Sequence, residues 1–531
     1  RLGGGKSMYR VLVTEPLAQP GLDLLRQHAE VDVVQMPSSA KLAELVGSYD
    51  ALVVRSHTRV TSQVIEAGER LRVIGRAGTG VDNIDLESAT RHGVLVVNAP
   101  NGNSVAVAEY TIGLMLALAR HIPQGDSSLR QGRWAKGALI GTEVKGKCLG
   151  IVGMGRVGTA VSKRAAGLEM EIVAYDPFVS TEHAARLNVR LMPLEELLGA
   201  ADFVSVHVPS TDLTRGIIGA RELALMKPTA RLINCARGGL LDEDALLEAL
   251  EEGRIAGAAL DVFSQEPLED SRFLNQARLI LTPHLGASTE EAQCSAALDV
   301  AEQVISVLQG RVPRYPVNAP ALSPEELAEV GPYVDLAQRL GSLYAQMATG
   351  NLVGLELAYA GELAGHDTQL LKAAALTGLL SHTCDEMVNL INAEMVASER
   401  GILLSERRVP TAENFNSLLT LKAATSVGER ALVGTVMRGQ PHLVAIDGFW
   451  LDFVLDGLLL ISEHIEQPGI IGRMGLLLGE AEVNISFVQV GRRERGGYGV
   501  MVVGVDDSIS EELLRRIMTL PSIRAAWLVV I

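Results

Sequence analysis

The segment 147–177, KCLGIVGMGRVGTAVSKRAAGLEMEIVAYDP, decides the fold of this chain. It reads as an apolar strand, a turn with three glycines, an amphipathic helix and a second apolar strand. Gly153 permits a tight turn, Gly155 lets a pyrophosphate approach the backbone, and Gly158 allows the helix to pack closely on the strand. Because the free N–H groups at the start of such a helix attract phosphates, the segment predicts a parallel α/β unit that binds a dinucleotide.

An acidic residue closes the second strand of this unit. Asp176 stands 18 residues after Gly158, where a carboxylate accepts hydrogen bonds from a ribose diol and repels a 2′-phosphate. Glycine turns between a strand and a helix are common on their own, but here both strands, the helix and the acid are in register. The pattern therefore favours NAD over NADP as the cofactor.

The composition limits the other possibilities. A chain of 531 residues has room for three or four domains. The net charge of −16 argues against a nucleic-acid partner, because a phosphate backbone requires a basic surface. The four cysteines lie far apart, without a CxxC or a metal-ligand spacing, so we expect reduced thiols, a cytoplasmic location and no bound metal. Since no apolar run reaches about 18 residues, we expect no membrane span.

The α/β alternation extends over the first 310 residues. Apolar strands separated by helices require crossover connections and therefore a parallel sheet. A predicted helix at 289–308 could carry the chain back to the first sheet. We therefore expect two doubly wound, Rossmann-like domains, the first (8–103 and 288–318) interrupted by the second (104–287). The strands behind this interpretation are 9–14, 31–36, 51–56, 71–77 and 93–99 in the first domain and 203–208, 231–234, 258–262 and 279–282 in the second.

A second predicted helix, EYTIGLMLALAR at 109–120, is apolar on nearly every side. This is more apolar surface than packing against one domain requires. Two further domains beyond residue 319 add surfaces through which subunits could associate. We expect the helix to lie between subunits, in a homotetramer or, as the alternative, in a dimer.

Four prolines between residues 313 and 324 mark a linker, because proline interrupts helices and central strands. Beyond it, residues 319–454 mix helical and strand-like pieces without a catalytic cluster. The last part, 455–531, reads as strand–helix–strand–strand–helix–strand, which predicts a ferredoxin-like sandwich. Ser508 and Glu511 have the spacing of a capping box for its second helix. The helical runs expected in the α+β region before it are 334–347, 368–379 and 387–400.

Three polar residues stand directly after apolar strands. Arg237 follows RLINCA, Glu266 follows AALDVF and His284 follows LILTP. Since ligands of open α/β sheets bind beyond the carboxyl ends of the strands, all three could face one crevice. A neutral histidine can take a hydroxyl proton, a carboxylate on its other nitrogen fixes the tautomer, and an arginine can clamp a substrate carboxylate. Each could alone be an ordinary surface or loop residue, but together they indicate hydride transfer.

At these residues the chain resembles the D-2-hydroxyacid dehydrogenases, and most closely the long-form D-3-phosphoglycerate dehydrogenases of that family. The motifs that carry the resemblance span the first 310 residues and are specific as a set. They are GRAGTGVDNID (75–85), NAPNGNS (98–104), GMGRVG (153–158), NCARGGLLDEDAL (234–246), GAALDVFSQEP (257–267) and TPHLGAST (282–289).

The resemblance implies roles for individual residues. It makes Arg237 the substrate-orienting arginine, His284 the acid and base, and Glu266 the carboxylate paired with His284. Around NAD it adds further residues to the three glycines and Asp176. These are Thr79, Arg156, Val157, Val208, Cys235, Ala236, Asp261, Gly286 and Ala287.

On the substrate side, the resemblance points to Arg55, Gly80 and Asn103. Either Arg76 or Arg133 would help to bind a phosphate group. From the residues alone, Arg55 could instead belong to an ordinary strand-to-loop pair and Asn103 could be a turn former.

The resemblance also implies the reaction. We expect NAD-dependent oxidation of 3-phospho-D-glycerate to 3-phosphohydroxypyruvate, the first step of L-serine biosynthesis. One alternative is a dehydrogenase for another 2-hydroxy acid, such as glyoxylate or 2-oxoglutarate; the other is a non-enzymatic NAD-sensing protein like the corepressors that share this fold. The complete set of catalytic residues and the C-terminal tail favour the enzyme.

The two C-terminal segments extend the resemblance. Segment 319–454 has the position of the long form's intervening domain, and 455–531 resembles its ACT domain. His464 and Glu466, after the first strand, and Asn484, before the next, match positions where the family's ACT domains hold an amino acid. We therefore expect L-serine as an effector, with Asn484 contributed by a partner subunit. Serine-binding relatives carry Asp or Asn in place of Glu466, so a dimerisation module without a ligand is the alternative.

Overall fold

The first domain is an open parallel sheet with helices on both faces. The structure is a computed structural model that describes residues 9–100, 102–320, 324–384 and 388–531. This domain contains, in chain order, β1 (Tyr9–Val13), α1 (Gln19–Arg26), β2 (Ala29–Val33), α2 (Ser39–Val46), β3 (Ala51–Val54), α3 (Ser62–Glu66), β4 (Val73–Arg76), α4 (Leu86–Arg91) and β5 (Leu95–Asn98). The strand order is β2-β1-β3-β4-β5, so the carboxyl ends of β1, β3 and β4 lie side by side at one edge.

All five predicted strands of this domain extend beyond the observed strands at one or both ends. The predicted strand 31–36 starts two residues earlier and ends at Val33; its continuation is interrupted at Met36, whose φ of 44° is left-handed and incompatible with a strand. The predicted strand 51–56 ends at Val54, which puts Arg55 in the loop beyond the carboxyl end.

The second domain is also parallel and doubly wound. It contains α5 (Ser104–Arg120), α6 (Ile122–Arg130), β6 (Cys148–Val152), α7 (Arg156–Gly167), β7 (Glu171–Tyr175), α8 (Thr181–Arg186), β8 (Arg190–Leu191), α9 (Leu194–Ala200), β9 (Phe203–Val206), α10 (Ala220–Leu225), β10 (Arg231–Asn234), α11 (Glu243–Glu251), β11 (Gly257–Leu260), α12 (Ser271–Leu274) and β12 (Leu279–Leu281). The order β12-β11-β10-β9-β6-β7-β8 reverses direction between β6 and β9. The glycine turn after β6 therefore lies at the switch point, where dinucleotides bind in this fold.

Two long helices tie these domains together. Helix α13 (Glu290–Leu308) returns to the first sheet, where Ala297, Val300 and Val304 join the core formed by Val11, Val53 and other strand residues. Helix α5 begins five residues before the predicted start and packs on the second sheet. The predicted insertion of one Rossmann-like domain in the other is thus confirmed. Among the described residues no single helix is long and apolar enough to span a membrane, although α5 and α6 meet that length and composition as a pair bent by 63°.

The next region is built around a mixed sheet. It contains α14 (Pro324–Met347), β13 (Leu352–Gly361), α15 (Gln369–Leu380), α16 (Ala393–Glu399), β14 (Leu403–Val409), β15 (Ser417–Thr425), β16 (Glu429–Met437), β17 (Gln440–Ile446) and β18 (Phe449–Val454), with the sheet order β14-β13-β15-β16-β17-β18. Helix α14 starts at Pro324, ten residues before the predicted 334. A proline is compatible with the first position of a helix, because its missing N–H would have no helical partner there. The helix even includes Pro332.

The predicted helix 387–400 is also wrong at its start. Residue 387 lies outside the described residues, and helix α16 begins only at Ala393. The segment before it turns toward the first domain instead, where Asn389 Nδ2 donates to the Gly93 carbonyl at 2.8 Å. A contact with a residue almost 300 positions away cannot be read from local helix propensity.

The last segment has the predicted ferredoxin-like order. It contains β19 (Leu458–Ile465), α17 (Ile470–Glu480), β20 (Ile485–Arg492), β21 (Tyr498–Val505), α18 (Glu511–Met518) and β22 (Ile523–Val530), in the antiparallel order β20-β21-β19-β22. The predicted capping residue is wrong, since Ser510 rather than Ser508 caps α18 by accepting from the Leu513 N–H at 3.2 Å. Its sheet shares one core with the region before it, because Leu459, Val500 and Val529 pack with α14 and the mixed sheet.

Candidate active site

The glycine turn after β6 is shaped for close approach of a ligand to the backbone. Gly153 has a φ of 99°, and a Cβ on it would stand 2.8 Å from the His207 carbonyl oxygen. A Cβ on Gly158 would clash with the Gly153 carbonyl oxygen, so α7 packs on the turn only because residue 158 is glycine. A Cβ on Gly155 would meet no described atom within 4 Å. The turn is therefore closely packed at Gly153 and Gly158 but open at Gly155, where a pyrophosphate can approach the backbone.

The acid predicted to select the cofactor is fixed beside this turn. Asp176 follows β7, and its carboxylate accepts hydrogen bonds from the Met154 N–H at 2.8 Å and the Phe178 N–H at 2.9 Å. Arg156 and Val157 form the first turn of α7. These contacts bring Asp176 to the N-terminus of α7, where a dinucleotide's ribose can meet it.

The two residues predicted as an acid–base pair, His284 and Glu266, are in contact. His284 Nδ1 lies 2.8 Å from Glu266 Oε2, and Glu266 Oε1 accepts from the Phe263 N–H at 3.0 Å. Burial alone raises the pKa of Glu266, but the hydrogen bonds from His284 and Phe263 and the charge of Arg237 outweigh it, so that the pKa is lowered. An ionised Glu266 requires a proton on His284 Nδ1 and directs Nε2 to the opposite side of the ring.

A buried carboxylate holds the loop that carries His284. Asp261 is 0% exposed and accepts from the Thr282 hydroxyl at 2.6 Å and from the Leu285 and Gly286 N–H groups at 2.8 Å each. The backbone of His284 itself has a φ of 56°, a strained conformation for a residue with a side chain. Asp261, predicted as a neighbour of NAD, thus braces the catalytic loop from below.

Arg237 is brought to the same place by backbone contact. Its Nη1 donates to the Ala236 carbonyl at 2.7 Å, and its Nε lies 3.3 Å from Asp82 Oδ2. A Cβ on Gly80 would meet Nη2 of Arg237, so a larger residue there would displace the guanidinium from its present position. Because Arg237 also lowers the pKa of Glu266, the three predicted catalytic residues form one cluster. Asp82 was missed by the sequence reasoning, although it lies within the GRAGTGVDNID motif.

The remaining residues predicted on the substrate side, together with Thr79, differ in burial and in hydrogen-bond partners. Thr79 donates to Asn103 Oδ1 at 2.9 Å, which links the two motifs that contain them. Arg76 is largely buried, and desolvation, followed by repulsion from Arg237, lowers its pKa to about 10. Arg55 donates from Nη1 to the Pro16 carbonyl at 3.1 Å, whereas Arg133 is exposed and donates to Gln131.

Other expected neighbours of NAD form the surroundings of the cleft. Burial raises the pKa of the Cys235 thiol to about 12, so this residue is an inert part of the wall. Val208 lies against the glycine turn, with Cγ1 2.8 Å from the position of a Cβ on Gly153. Ala236 donates from its N–H to Asn234 Oδ1 at 3.0 Å, and Ala287 packs at the edge of the second core.

The three predicted regulatory residues do not meet within one chain. The register pairs Ile465 with Tyr498 at one end of the sheet and Leu458 with Val505 at the other. Ile485, next to Asn484, also pairs with Val505. Asn484 therefore lies at the end of the sheet opposite to His464 and Glu466, about 23 Å away at 3.3 Å per residue.

Each regulatory residue is also engaged differently than expected. His464 belongs to β19 rather than to the loop and is fully buried, with both ring nitrogens lacking a hydrogen-bond partner among the described residues. Burial lowers its pKa. Glu466 forms an ion pair with Arg492 and accepts from the Gly496 N–H at 2.8 Å, and that N–H is the main cause of its lowered pKa. Asn484 donates to Asp506.

Comparison with known proteins yields consistent similarities. Residues 112–286 match the NAD binding domain of the D-isomer specific 2-hydroxyacid dehydrogenases, and residues 329–447 match the D-3-phosphoglycerate dehydrogenase intervening domain. The chain is 44% identical to a D-3-phosphoglycerate dehydrogenase of Synechocystis, covering 98% of this chain and 95% of the relative. It is 44% identical to that of Methanocaldococcus jannaschii (97% and 99% covered) and 39% identical to that of Bacillus subtilis (98% and 99% covered).

Solved structures resemble the first two domains. A Thermus thermophilus protein is similar with a TM-score of 0.55 and 36% identity, covering 58% of this chain and 99% of its own. A glyoxylate reductase from Paecilomyces thermophila has a TM-score of 0.55 and 29% identity, covering 60% of this chain and 100% of its own.

Proposed function

The chain belongs to the D-3-phosphoglycerate dehydrogenase family, and we propose that Arg237, Glu266 and His284 carry out its reaction. This reaction is the oxidation of 3-phospho-D-glycerate to 3-phosphohydroxypyruvate with NAD, the first step of serine biosynthesis. The observation that supports this assignment is the 2.8 Å contact between His284 Nδ1 and Glu266 Oε2, with Arg237 beside it. These residues lie at the carboxyl ends of strands in the domain that carries the glycine turn.

The proposed roles follow from the chemistry of each side chain. Arg237 binds the substrate carboxylate with its guanidinium donors. Nε2 of His284 takes the proton of the C2 hydroxyl, and Glu266 stabilises the imidazolium that results. When bound at the glycine turn, NAD would supply the acceptor for the hydride that leaves C2. In the reverse direction His284 returns the proton to the carbonyl oxygen.

For the cofactor, we propose the glycine turn and its neighbours as the binding site. Gly153, Gly155 and Gly158 give a backbone that a pyrophosphate can approach, with Arg156 and Val157 supplying N–H groups at the helix start. Asp176 would bind the ribose diol, since its position beside the Met154 N–H points it at the same turn. The turn fits a pyrophosphate because a Cβ would clash at Gly153 and Gly158, whereas the space around Gly155 is open.

The reaction assignment has a direct test. NADH formation would be followed by absorbance with 3-phosphoglycerate and, in parallel, with unphosphorylated glycerate. We expect turnover with the phosphorylated acid and little with glycerate. A preference for glyoxylate or 2-oxoglutarate in the reductive direction would instead indicate a dehydrogenase for another 2-hydroxy acid.

We further propose that 455–531 is an ACT domain that senses L-serine at a site formed by two subunits. Asn484 and Glu466 lie at opposite ends of one sheet. Strand β20 is an edge of that sheet. Antiparallel pairing of β20 with the same strand of a second copy would bring Asn484 of one subunit toward the Glu466 end of the other.

The effector proposal requires the full-length protein, because the sheet of this domain shares a core with the region before it. L-serine would be titrated into the intact enzyme by calorimetry, with D-serine as the control, and activity measured beside it. We expect binding and inhibition by L-serine alone, both weakened in Asn484→Ala. The absence of heat and of inhibition at millimolar serine would leave a dimerisation module.

We also propose a homotetrameric assembly and a cytoplasmic location. Helix α5 buries one side on the second sheet but leaves Val105 exposed and Ile112 and Leu116 half-buried, which supports a further contact between subunits. The four cysteines are free, as is usual in a reducing compartment.

A further inference from the structure

The guanidinium of Arg237 is held by two acceptors that come from different domains. Its Nη1 donates to the carbonyl of Ala236 at 2.7 Å, within the second domain, whereas its Nε lies 3.3 Å from Asp82 Oδ2, in the first domain. Nη2 lies directly beside Gly80, where a Cβ on that glycine would meet it. The ion pair with Asp82 therefore spans the two domains and holds the guanidinium next to Gly80.

A second arginine makes the charge of Asp82 important. Arg76, at the end of β4, is largely buried. Desolvation, followed by repulsion from Arg237, lowers its pKa to about 10, and the charge of Asp82 acts in the opposite direction. Two guanidinium groups this close repel each other. Because Arg76 is buried while the side chain of Arg237 is 30% exposed, Arg237 is the group that would turn toward solvent if the carboxylate of Asp82 were removed.

The backbone on either side of Asp82 is fixed by its neighbours. Asn83 Nδ2 donates to the carbonyl oxygens of Arg55 at 2.8 Å and of Thr58 at 2.7 Å. Asp85 caps helix α4 by accepting a backbone N–H of its first turn at 2.9 Å. Segment 82–85 is therefore held at two points, and the position of the Asp82 carboxylate is set by the sheet of the first domain.

The loop that Asn83 binds is itself anchored by a buried carboxylate. Glu15 follows β1, is 3% exposed, and accepts from the N–H groups of Arg55 and Thr58 at 2.9 Å each. Burial raises the pKa of Glu15, but the backbone N–H groups outweigh it and the pKa is lowered. The support of Asp82 thus extends from the surface of the cleft to the end of β1.

We propose that Asp82 is a positioning residue for Arg237, and that its carboxylate holds the guanidinium in the orientation that receives the substrate carboxylate. The proposal rests on the proposed contact between Arg237 and that carboxylate. Asp82 contacts Nε and the Ala236 carbonyl contacts Nη1, so that Nη2 is presented beside Gly80, a residue expected on the substrate side. Because the ion pair joins the two domains, this orientation depends on their present arrangement.

The test removes the charge of Asp82 and keeps its size. In Asp82→Asn, kcat/KM for 3-phosphoglycerate should fall about fivefold, as expected for an ion pair whose carboxylate is 68% exposed. The affinity for NADH, measured by its fluorescence, should not change. Asp82→Glu keeps the charge and should recover most of the loss. The matched control is Glu87→Gln, which removes the same charge nearby, at a side chain that is 76% exposed and paired with Arg91, and should retain wild-type kinetics.

A double-mutant cycle with Arg237 separates positioning from a general structural role. Added to Arg237→Ala, Asp82→Asn should lower kcat/KM by less than about twofold, because no guanidinium is left to orient. An equal loss in both backgrounds, or a loss of the same size in Glu87→Gln, would overturn the proposal, as would wild-type kinetics in Asp82→Asn. Wild-type kinetics in Arg237→Ala would instead contradict the role proposed for Arg237 in the reaction.

Discussion

Replacing Glu266 with glutamine tests the acid–base pair without removing any heavy atom from the site. The carboxylate serves two donors, His284 Nδ1 at 2.8 Å and the Phe263 N–H at 3.0 Å. A glutamine amide has one oxygen and one NH₂ group for these two donors. If the oxygen stays on Phe263, the NH₂ group faces Nδ1 and favours the tautomer with its proton on Nε2. That tautomer cannot take the hydroxyl proton.

The size of the effect follows from the geometry and exposure of the pair. A hydrogen bond to a charged group contributes about 1.5–3 kcal/mol, but the side chains of His284 and Glu266 are 45% and 37% exposed. We therefore discount it to about 1 kcal/mol for screening by solvent. Since about 1.4 kcal/mol corresponds to one pH unit, the acid limb of the kcat profile should move to lower pH by somewhat less than one unit. The competing tautomer should lower kcat by a further factor of roughly 10–100.

The assay is the pH dependence of kcat and kcat/KM for NADH formation from 3-phosphoglycerate. The matched control is Glu269→Gln, which removes the same charge three residues away on an exposed part of the same loop. We expect a normal profile for the control and unchanged affinity for NAD in both variants. A wild-type kcat and acid limb in Glu266→Gln would refute the assignment of Glu266 as the partner of His284.

Other consequences can be measured independently. His284→Ala should lower kcat by about 10²–10⁴-fold with NAD binding retained, and wild-type turnover would refute its role. Asp176→Ala should narrow the preference for NAD over NADP, with Asp176→Asn as the variant that keeps an acceptor for the backbone donors; a wild type that uses both cofactors equally would contradict this. Because the folded pKa of Glu15 is lowered, it stabilises the fold above its unfolded pKa near 4.3 and loses this effect as the pH falls through the folded value. The thermal midpoint of Glu15→Gln should therefore approach that of the wild type below about pH 4. Light scattering should give a multiple of the 56.6 kDa chain mass, and a monomer at micromolar concentration would exclude the proposed assembly.

The sequence predicts the nucleotide domain well because its signals are local. The turn of Gly153, Gly155 and Gly158, the following helix and Asp176 occupy the 24 consecutive residues 153–176, and each has one physical task there. The positions of Arg237, Glu266 and His284 were predictable for a related reason. Parallel strands put their carboxyl ends at one edge, so three residues distant in sequence share a crevice once the sheet is parallel.

What the sequence does not predict is the set of acids that support these residues. Glu15 holds a loop 40 residues away, Asp261 holds one about 20 residues away, and Asp82 contacts Arg237 across the domain boundary. An aspartate or glutamate after a strand has the same local pattern whether it faces the ligand or accepts buried backbone N–H groups. Only the three-dimensional partners distinguish the two: Asp261, expected beside NAD, accepts the backbone N–H groups of Leu285 and Gly286 in the loop that carries His284.

The packing at the C-terminal end carries a consequence for regulation. The sequence divides the chain at residue 454, but Leu459, Val500 and Val529 belong to the same core as α14. The side chain of Gln346 exchanges two hydrogen bonds with the backbone of Val530, and Arg339 binds Asp456. Since an apolar core and these polar contacts both cross the boundary, the last two regions should move as one body. If L-serine binds as proposed, its effect would reach the first two domains through the displacement of that whole body, with the contact between Asn389 and Gly93 as one point of transmission.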